Sequence, residues 1–498
     1  MFPFRSPSGS TPRAASRSGS DPSAGDLGAR LSRLRARRRQ RGVALVMVLG
    51  TLTLLTVMLT EFQDEASAEL GSSVSARDSV RAEYAARSAV NLTRLLLASE
   101  PTIRNSAGMM LSLLTGGGKP PQIPIWKYSD LILGAFNDEE GREMFQGLSG
   151  LNLAEGENLG MEGAGFRIEV VDEDSKINVN IAARPDAFSK KKIAEQLLAL
   201  MAGAQHEEFF QGLDERGNLA DRQTICGAII DWIDPDEAFE ACDPRVEVRQ
   251  QTAPEDSFYQ MLPRPYRRKN AALDSLEELR MVRGVSDDFW TRFVEPDPDR
   301  PDKRKVTVWG SGSLNVNTAN ADTLLALVCS GAVPNTPICT TDVQQRLMFV
   351  QTVELMKGMM MGAPAFNSPK AFIDAVKGQG LIGQMLLAQG FQPIPLLSEK
   401  QLQDAVTLES KSFSIYATGY VRSGKHETRS RIHAVVDFRG APPPGTALQY
   451  QALQAMGQGT PLPEGAEQLS MPATFEQGGI AGAFLPNPAG NILYYRVD

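Results

Sequence analysis

An unbroken apolar run near the start of the chain is the strongest pattern in the sequence. Residues 43–60 carry no charge and follow a cluster of arginines that ends at Arg41. As a helix these residues span about 27 Å, enough to cross the hydrocarbon core of a bilayer. The arginines should hold their end in the cytoplasm. The pattern predicts one membrane-spanning helix, with the bulk of the chain on the far side.

Beyond the apolar run the pattern becomes amphipathic. Residues 61–99 place apolar side chains near i, i+3 and i+4 spacing, and no proline interrupts them. Together with the apolar run they predict one helix of roughly 55 residues, whose last part packs on a domain. The alternative is two helices that are separated near Gly71.

Strand patterns stand on both sides of a largely helical block. Residues 166–171 and 176–180 flank an acidic turn and predict a hairpin or strand pair. Residues 413–421 and 429–438 predict an antiparallel hairpin, and residues 492–497 an edge strand. Helix-period windows between them cover 190–204, 219–234, 274–282, 320–330, 341–358 and 368–379. The fold class is therefore α+β.

One short pattern occurs twice. KINVNIA at residues 176–182 is echoed by SLNVNTA at residues 313–319. In both copies a short β-type run with two asparagines precedes a helix-period segment. This predicts an internal repeat of a short strand that leads into a helix.

Charge and motifs argue against two functional classes, nucleic-acid binding and catalysis. The net charge is −8, but the first 42 residues hold ten arginines and two aspartates, so the remainder carries −16. An acidic exported part argues against a nucleic-acid partner. The sequence has no GxSxG, HExxH, Walker or Rossmann glycine pattern, so no catalytic residue is assigned and the protein is not expected to be an enzyme.

The four cysteines have spacings that suit disulfides better than zinc. Cys226 and Cys242 are separated by fifteen residues, and Cys329 and Cys339 by nine. CxxC is absent, and no histidine lies near them in sequence. In an oxidising compartment two local disulfides, Cys226–Cys242 and Cys329–Cys339, are expected. Four buried free thiols are the alternative.

The switch from basic to apolar residues resembles the start of type IV prepilins. In that class a membrane peptidase cuts after the glycine, which implies that residues 1–42 are a cytoplasmic leader, cut between Gly42 and Val43. The alternative is an uncut single-pass anchor. Most pilins carry a glutamate at the position of Met47. A charged side chain inside a bilayer is kept only where it has a partner. The absence of the glutamate therefore suits a subunit with no neighbour above it.

Six phrases in a fixed order extend the resemblance: the glutamate-free start, VVDEDSKINVN, GAIIDWIDPDEAF, LDSLEELRMVRGVS, GSGSLNVNTANADTLLAL and FSIYATGYV. Together they resemble the general secretion pathway protein K family, minor pseudopilins of type II secretion systems. The resemblance covers roughly residues 38–438. It implies a subunit at the tip of the pseudopilus that helps start assembly for export across the outer membrane. The implied partners are minor pseudopilins I and J, the major pseudopilin filament and the prepilin peptidase. The implied location is the inner membrane, with the bulk of the chain in the periplasm.

The resemblance also implies the organisation of the chain. The family has a pseudopilin fold, a long first helix packed on an antiparallel sheet, with a large helical domain inserted between strands. The expected divisions are the leader at 1–42, the transmembrane part of the helix at 43–60, its periplasmic part at 61–99, the first part of the pseudopilin domain at 100–180, the inserted helical domain at 181–405, the returning strands at 406–438 and a Pro/Gly-rich tail at 439–498.

Members of this family bind calcium, and an acidic loop is the first candidate site. Four of its carboxylates lie within seven residues around a proline, and calcium takes six to eight oxygens, often from such turns. The expected ligands are Asp231, Asp234, Asp236, Glu237 and Asp243. The alternative is that these acids are solvated or cap a helix. The turn Asp172–Asp174 is a second candidate, although such a turn needs no metal.

Residues 273–285 and 314–327 also resemble helix-hairpin-helix elements. In DNA-binding versions, hairpin glycines bring backbone amides to a phosphate. Here only Gly284 is present, and Asp287 and Asp288 would repel phosphate. A protein-contact role is favoured. The alternative function is a single-pass anchored binding protein outside any secretion filament.

Overall fold

A computed structural model describes residues 24–114, 124–137, 141–143, 146, 161, 163–212, 221–242, 257–359, 364–424, 426–441 and 489–498. The chain divides into two compact units, Met1–Arg77 and Asp78–Asp498. Most of the predicted tail, and Asp243 of the acidic loop, lie outside the described residues.

The first helix, α1, runs without a break over Ala24–Leu114. The predicted continuous helix is confirmed, although it is 91 residues long rather than roughly 55 and continues past residue 99 to Leu114. The alternative break near Gly71 is wrong. Its stretch Val43–Pro101 contains a window that is long and apolar enough to cross a membrane, and no residue of that window is buried. In water such a surface would be unfavourable, so its exposure agrees with a lipid-facing segment.

Short helices and strands make up the second unit. Its α-helices are α2 (Ser129–Gly134), α3 (Ala187–Met201), α4 (Glu207–Gln211), α5 (Arg222–Ile233), α6 (Ser257–Gln260), α7 (Asp287–Phe289), α8 (Ala321–Ser330), α9 (Pro337–Thr340), α10 (Val343–Met359), α11 (Pro369–Val376), α12 (Gly380–Ala388) and α13 (Glu399–Asp404). The predicted window at 274–282 instead holds a 3₁₀ helix, Leu276–Met281. Further single turns are Ile125–Tyr128, Val179–Ala183, Ala204–His206, Trp290–Val294 and Pro301–Lys303.

The strands are β1 (Ala164–Asp172), β2 (Ile177–Asn178), β3 (Val306–Thr307), β4 (Leu314–Asn315), β5 (Val406–Thr407), β6 (Ser412–Ser423), β7 (His426–Asp437) and β8 (Asn491–Val497). Four of them form a sheet in the order β1-β6-β7-β8, with every pair antiparallel. The predicted hairpin is therefore β6–β7, and the predicted edge strand is β8. A long first helix with an antiparallel sheet confirms the α+β class.

Helix α1 packs on this sheet through small residues. Ala82 and Ala86 are fully buried, and β6 brings Gly419 against them. A Cβ on Gly419 would lie 1.9 Å from the Ala82 carbonyl oxygen and 2.6 Å from the Ala86 nitrogen. Helix and strand backbones can approach this closely only because Gly419 has no side chain.

The predicted hairpin around the acidic turn is wrong. β1 pairs with β6, so that Val170 lies opposite Ile415, whereas β2 pairs in parallel with β3. Alternation in a sequence shows which face of a strand is buried but does not identify its partner. Here both partners lie more than a hundred residues away.

The internal repeat is present in three dimensions. In each copy the first asparagine, Asn178 or Asn315, accepts a hydrogen bond from the backbone nitrogen of the second at 3.0 Å. The second asparagine then binds a distant backbone segment with both of its amide atoms. Asn180 binds Leu273 at 2.7 and 2.9 Å, and Asn317 binds Phe366 at 2.9 and 3.0 Å. Two similar modules therefore follow one another, each with its own hydrophobic core.

In sequence the two modules lie between β1 and β6, which are neighbours in the sheet. Residues Asp78–Asp498 nevertheless form one compact unit. A separate inserted domain at 181–405 therefore stays a prediction.

Candidate cation site

The acidic loop begins where α5 ends. Asp221 caps the start of α5 by accepting a hydrogen bond from the Thr224 nitrogen at 2.7 Å. Asp234 is the C-cap, and its nitrogen still donates to the Ile230 carbonyl at 2.9 Å. The helix thus fixes Asp234 before the chain turns at Pro235.

Two of the predicted ligands meet on a lysine from α3. Lys190 Nζ lies 2.7 Å from Asp234 Oδ2 and also contacts Asp236 Oδ2. Burial raises the pKa of Asp234, and the Lys190 contact opposes that rise. Burial also acts on Asp236, but there the contacts with Lys190 prevail and lower the pKa. The pair of carboxylates therefore already binds a cation, an ammonium group of this same chain.

Asp231 is engaged elsewhere. Its Oδ1 accepts a hydrogen bond from the Glu240 nitrogen at 2.8 Å, and burial raises its pKa to about 8. Arg268 donates to the backbone carbonyl of Asp231 at 2.9 Å and to that of Asp236 at 3.3 Å. These contacts shape the loop without using the carboxylates of Asp234 and Asp236.

The donor set fits calcium only in part. Asp234 Oδ1 is buried and has no hydrogen-bond partner in the structure, so one oxygen is available at the site. Glu237 is exposed, and Asp243 lies outside the described residues. Among the residues that the structure describes, no three histidine, cysteine, aspartate or glutamate side chains converge well enough to hold a metal. The structure therefore brings together Asp234 and Asp236 of the five predicted ligands.

Sequence reasoning missed Lys190. It lies 44 residues before Asp234 and within a run of three lysines, Lys190–Lys192. The cap at Asp186 fixes the phase of α3, because its side chain accepts from the Ser189 nitrogen at 2.7 Å. That cap was the signal for the start of α3, but no local pattern shows which lysine reaches the acidic loop.

Both cysteine pairs are bonded in the structure. The sulfurs are 2.11 Å apart in Cys226–Cys242 and 2.02 Å apart in Cys329–Cys339. The first bond closes the chain around the acidic loop. The loop returns across α5 at Gly227, where a Cβ would lie 2.3 Å from the Glu240 carbonyl oxygen. The oxidation state in exported protein stays a prediction.

In the structure the turn Asp172–Asp174, the second candidate cation site, is a buried junction. Asp172, Glu173 and Asp174 are each at most 3% exposed. Asp172 accepts from the Asp174 nitrogen and from the hydroxyls of Thr318 and Ser410. Its pKa is raised to about 7 by burial, with the neighbouring charges of Asp174 and Glu173 adding to the rise.

The other two acids of this junction are equally engaged. Asp174 accepts from the backbone nitrogens of Ser311, Lys411 and Ser412 at 2.7, 2.8 and 3.1 Å. Glu173 binds Lys176 at 2.7 Å and two hydroxyls. Every carboxylate oxygen of the turn has a protein donor, so these acids join β1 to the segments at 307–318 and 410–414.

Comparison with known proteins gives a match to one family model and a similarity to a solved structure. Residues 175–294 match the family model of type II secretion system (T2SS), protein K. The chain is also similar to a chain of the GspK-GspI-GspJ complex from the enterotoxigenic Escherichia coli Type 2 Secretion System, at 13% identity and a TM-score of 0.37. That similarity covers 68% of this chain and 81% of the other. No curated protein matches the chain.

Proposed function

We propose that the chain is a protein K of the type II secretion system, as the family match over residues 175–294 supports, and that it is the minor pseudopilin at the tip of the pseudopilus. There it would help start filament assembly for export across the outer membrane. A continuous helix that can cross a membrane and then packs on a sheet through Gly419 supports this proposal. Met47 supports the tip position, because no carboxylate is present to pair with a subunit above. The expected location is the inner membrane, with unit Asp78–Asp498 in the periplasm.

An exposed surface in the second unit suits protein partners. Tyr84 on α1 is 58% exposed and Tyr495 on β8 is 42% exposed. The guanidinium of Arg87 lies 5.7 Å from the centre of the Tyr84 ring. The residues that contribute most to binding at protein interfaces are enriched in tyrosine and arginine. We assign this surface to the minor pseudopilins I and J.

Co-purification tests the function. The full chain, co-expressed with the two candidate minor pseudopilins and extracted in detergent, should retain both of them. Tyr84→Glu should weaken their retention. Phe188→Glu, a change at another exposed aromatic residue (56% exposed) on α3, should not. Binding of DNA without either pseudopilin would favour the alternative, an anchored protein outside the filament.

Processing after Gly42 is the second test. We expect membrane-bound protein to begin at Val43, so intact-mass measurement should show that residues 1–42 have been lost. Gly42→Leu should leave nearly all of the protein uncut, since the peptidase of this class cuts after a glycine. Gly50→Leu, within the same apolar run and with nothing within 4 Å, should be processed normally. Mature protein that retains Arg41 would disprove the prepilin assignment.

Calcium binding at the acidic loop is a further part of the proposal. The residues that would hold the ion are Asp234 and Asp236, with Glu237 and Asp243 as further expected ligands and Asp231 adjoining them. The unpartnered, buried Asp234 Oδ1 supports this assignment, and hard oxygen ligands are those that calcium prefers.

We expect calcium to raise the melting temperature of the oxidised full chain. The increase should disappear in Asp234→Ala and become smaller after reduction of Cys226–Cys242, because the loop would then be less ordered before binding. Asp274→Ala is the control, since that side chain is 91% exposed and pairs with Lys269 rather than with Lys190. An unchanged melting temperature in the oxidised wild type would exclude the site.

A further inference from the structure

Lys190 occupies the position at which a metal ion would bind the acidic loop. Its ammonium group contacts the carboxylate oxygens of both Asp234 and Asp236. We propose that this ammonium is a built-in competitor for the divalent cation. It neutralises the two carboxylates when no metal is bound, and it withdraws when calcium binds. The inference rests on the calcium site of the proposed function.

The competitor can leave without any movement of its helix. α3 is held by its cap and by Ile193 and Leu197, which are 1% and 2% exposed. The Lys190 side chain itself is 15% exposed, and that of Asp236 is 47% exposed. A lysine has a flexible stem of four carbons, so its charged end can turn into water while the helix stays fixed. The site is therefore open to solvent on the Asp236 side.

A metal ion would satisfy what the lysine leaves unsatisfied. The ammonium binds Asp234 Oδ2, whereas the buried Oδ1 of the same carboxylate has no partner in the structure. Leaving a buried acceptor of a charged group unpaired costs free energy. Calcium accepts a carboxylate through one or both oxygens. The exchange therefore replaces an incomplete ion pair by a more complete one, and the lysine sets the calcium concentration at which this happens.

Adjacent lysines on α3 supply a matched control. Lys191 is 68% exposed, and its only ion pair in the described part of the chain is with Glu195 at 3.9 Å. Lys192 donates to the Gly312 carbonyl at 2.8 Å. Removing the charge of Lys191 changes the overall charge and the helix to the same extent as removing that of Lys190, but it leaves the two carboxylates paired.

Calorimetric titration of the full chain in detergent with calcium chloride tests the proposal. Lys190→Met should tighten calcium binding about tenfold or more, because it removes the charge-assisted contacts of the ammonium with Asp234 and Asp236 that calcium would otherwise have to displace. Without calcium its melting temperature should be below that of the wild type, and calcium should raise it more. Lys190→Gln, which keeps a donor but no charge, should also tighten binding and serves as the test if the methionine variant does not fold. Lys191→Met should bind as the wild type does.

The outcomes separate this inference from the calcium proposal. If the wild type gives no signal and Lys190→Met binds calcium, competition is supported and calcium binding by the wild type is excluded. If the wild type binds and both Lys190 variants bind equally or more weakly, competition is overturned and the site stands. If no variant binds calcium, both claims fail.

Discussion

Gly419→Ala is expected to separate α1 from the sheet and to lower the free energy of unfolding by about 3 kcal/mol or more. The added methyl group would lie 1.9 Å from the Ala82 carbonyl oxygen and 2.6 Å from the Ala86 nitrogen. Both atoms belong to the helix backbone, so no side-chain rotation can relieve the overlap. The helix has to move away, which exposes Ala82 and Ala86 and opens a gap in the core below them.

Chemical denaturation of the full chain in detergent measures this loss. Gly440→Ala is the matched control, because a Cβ at Gly440 would meet nothing within 4 Å. If both variants unfold at the wild-type denaturant concentration, the close approach of α1 and β6 is not a feature of the folded protein. If Gly419→Ala alone loses stability, it should also retain the partner pseudopilins less well, because Tyr84 lies on the same helix.

Local patterns predicted the elements of this fold well. The long first helix with its apolar run, the β6–β7 hairpin and the edge strand β8 follow from periodicity and turn residues, which act over a few positions. The repeated asparagine pattern predicted an internal repeat of a short strand that leads into a helix. The pairing of β1 with β6 could not be predicted from local patterns, since Val170 and Ile415 lie about 245 residues apart in sequence and alternation does not identify a strand's partner.

The candidate site shows the same limit. Clustering of acids in the sequence identified Asp234 and Asp236, but their cation, Lys190, comes from another helix. The turn at Asp172–Asp174 was the second candidate because it is also rich in acids. It differs because its carboxylate oxygens already accept hydrogen bonds from Thr318, Ser410 and other donors more than a hundred residues away. Composition shows that acidic side chains are present. Whether they can bind a cation depends on their hydrogen-bond and ion-pair partners, which come from distant parts of the chain.

Asp174→Asn is expected to destabilise the protein by about 3 kcal/mol, because it leaves fixed donors of the buried junction unpaired. Asp174 Oδ2 accepts from the backbone nitrogens of Lys411 and Ser412, and Oδ1 accepts from that of Ser311. An asparagine of the same shape would place an N–H group against at least one of these donors. Backbone N–H groups cannot turn around to become acceptors, so no rearrangement of the side chain restores the bonds. Denaturation at neutral pH should show the loss.

Asp172→Asn, two residues away, should not destabilise the protein in this way. One of its oxygens accepts from the hydroxyls of Thr318 and Ser410, and a hydroxyl can rotate to accept a hydrogen bond from an amide instead. Asparagine also resembles the protonated acid, and burial raises the pKa of Asp172 from 3.8 to about 7. The variant should therefore fold with about wild-type stability near pH 4.

The pH dependence gives the sharper comparison of Asp172→Asn with the wild type. Because the pKa of Asp172 is raised on folding, its protonated form favours the folded state, and stability falls as the pH rises from about 4 to about 7. The asparagine cannot lose a proton, so the variant should gain stability relative to the wild type across this window. The gain should be at most about 1.4 kcal/mol per pH unit. The difference in stability should level off above about pH 7. Asp231, His206 and His433 also titrate with shifted pKa values, but both proteins contain them and their effects cancel in the difference. A stability difference that does not change with pH would show that Asp172 stays ionised in the folded protein. Loss of stability in Asp172→Asn as large as in Asp174→Asn would contradict the distinction between rotatable and fixed donors.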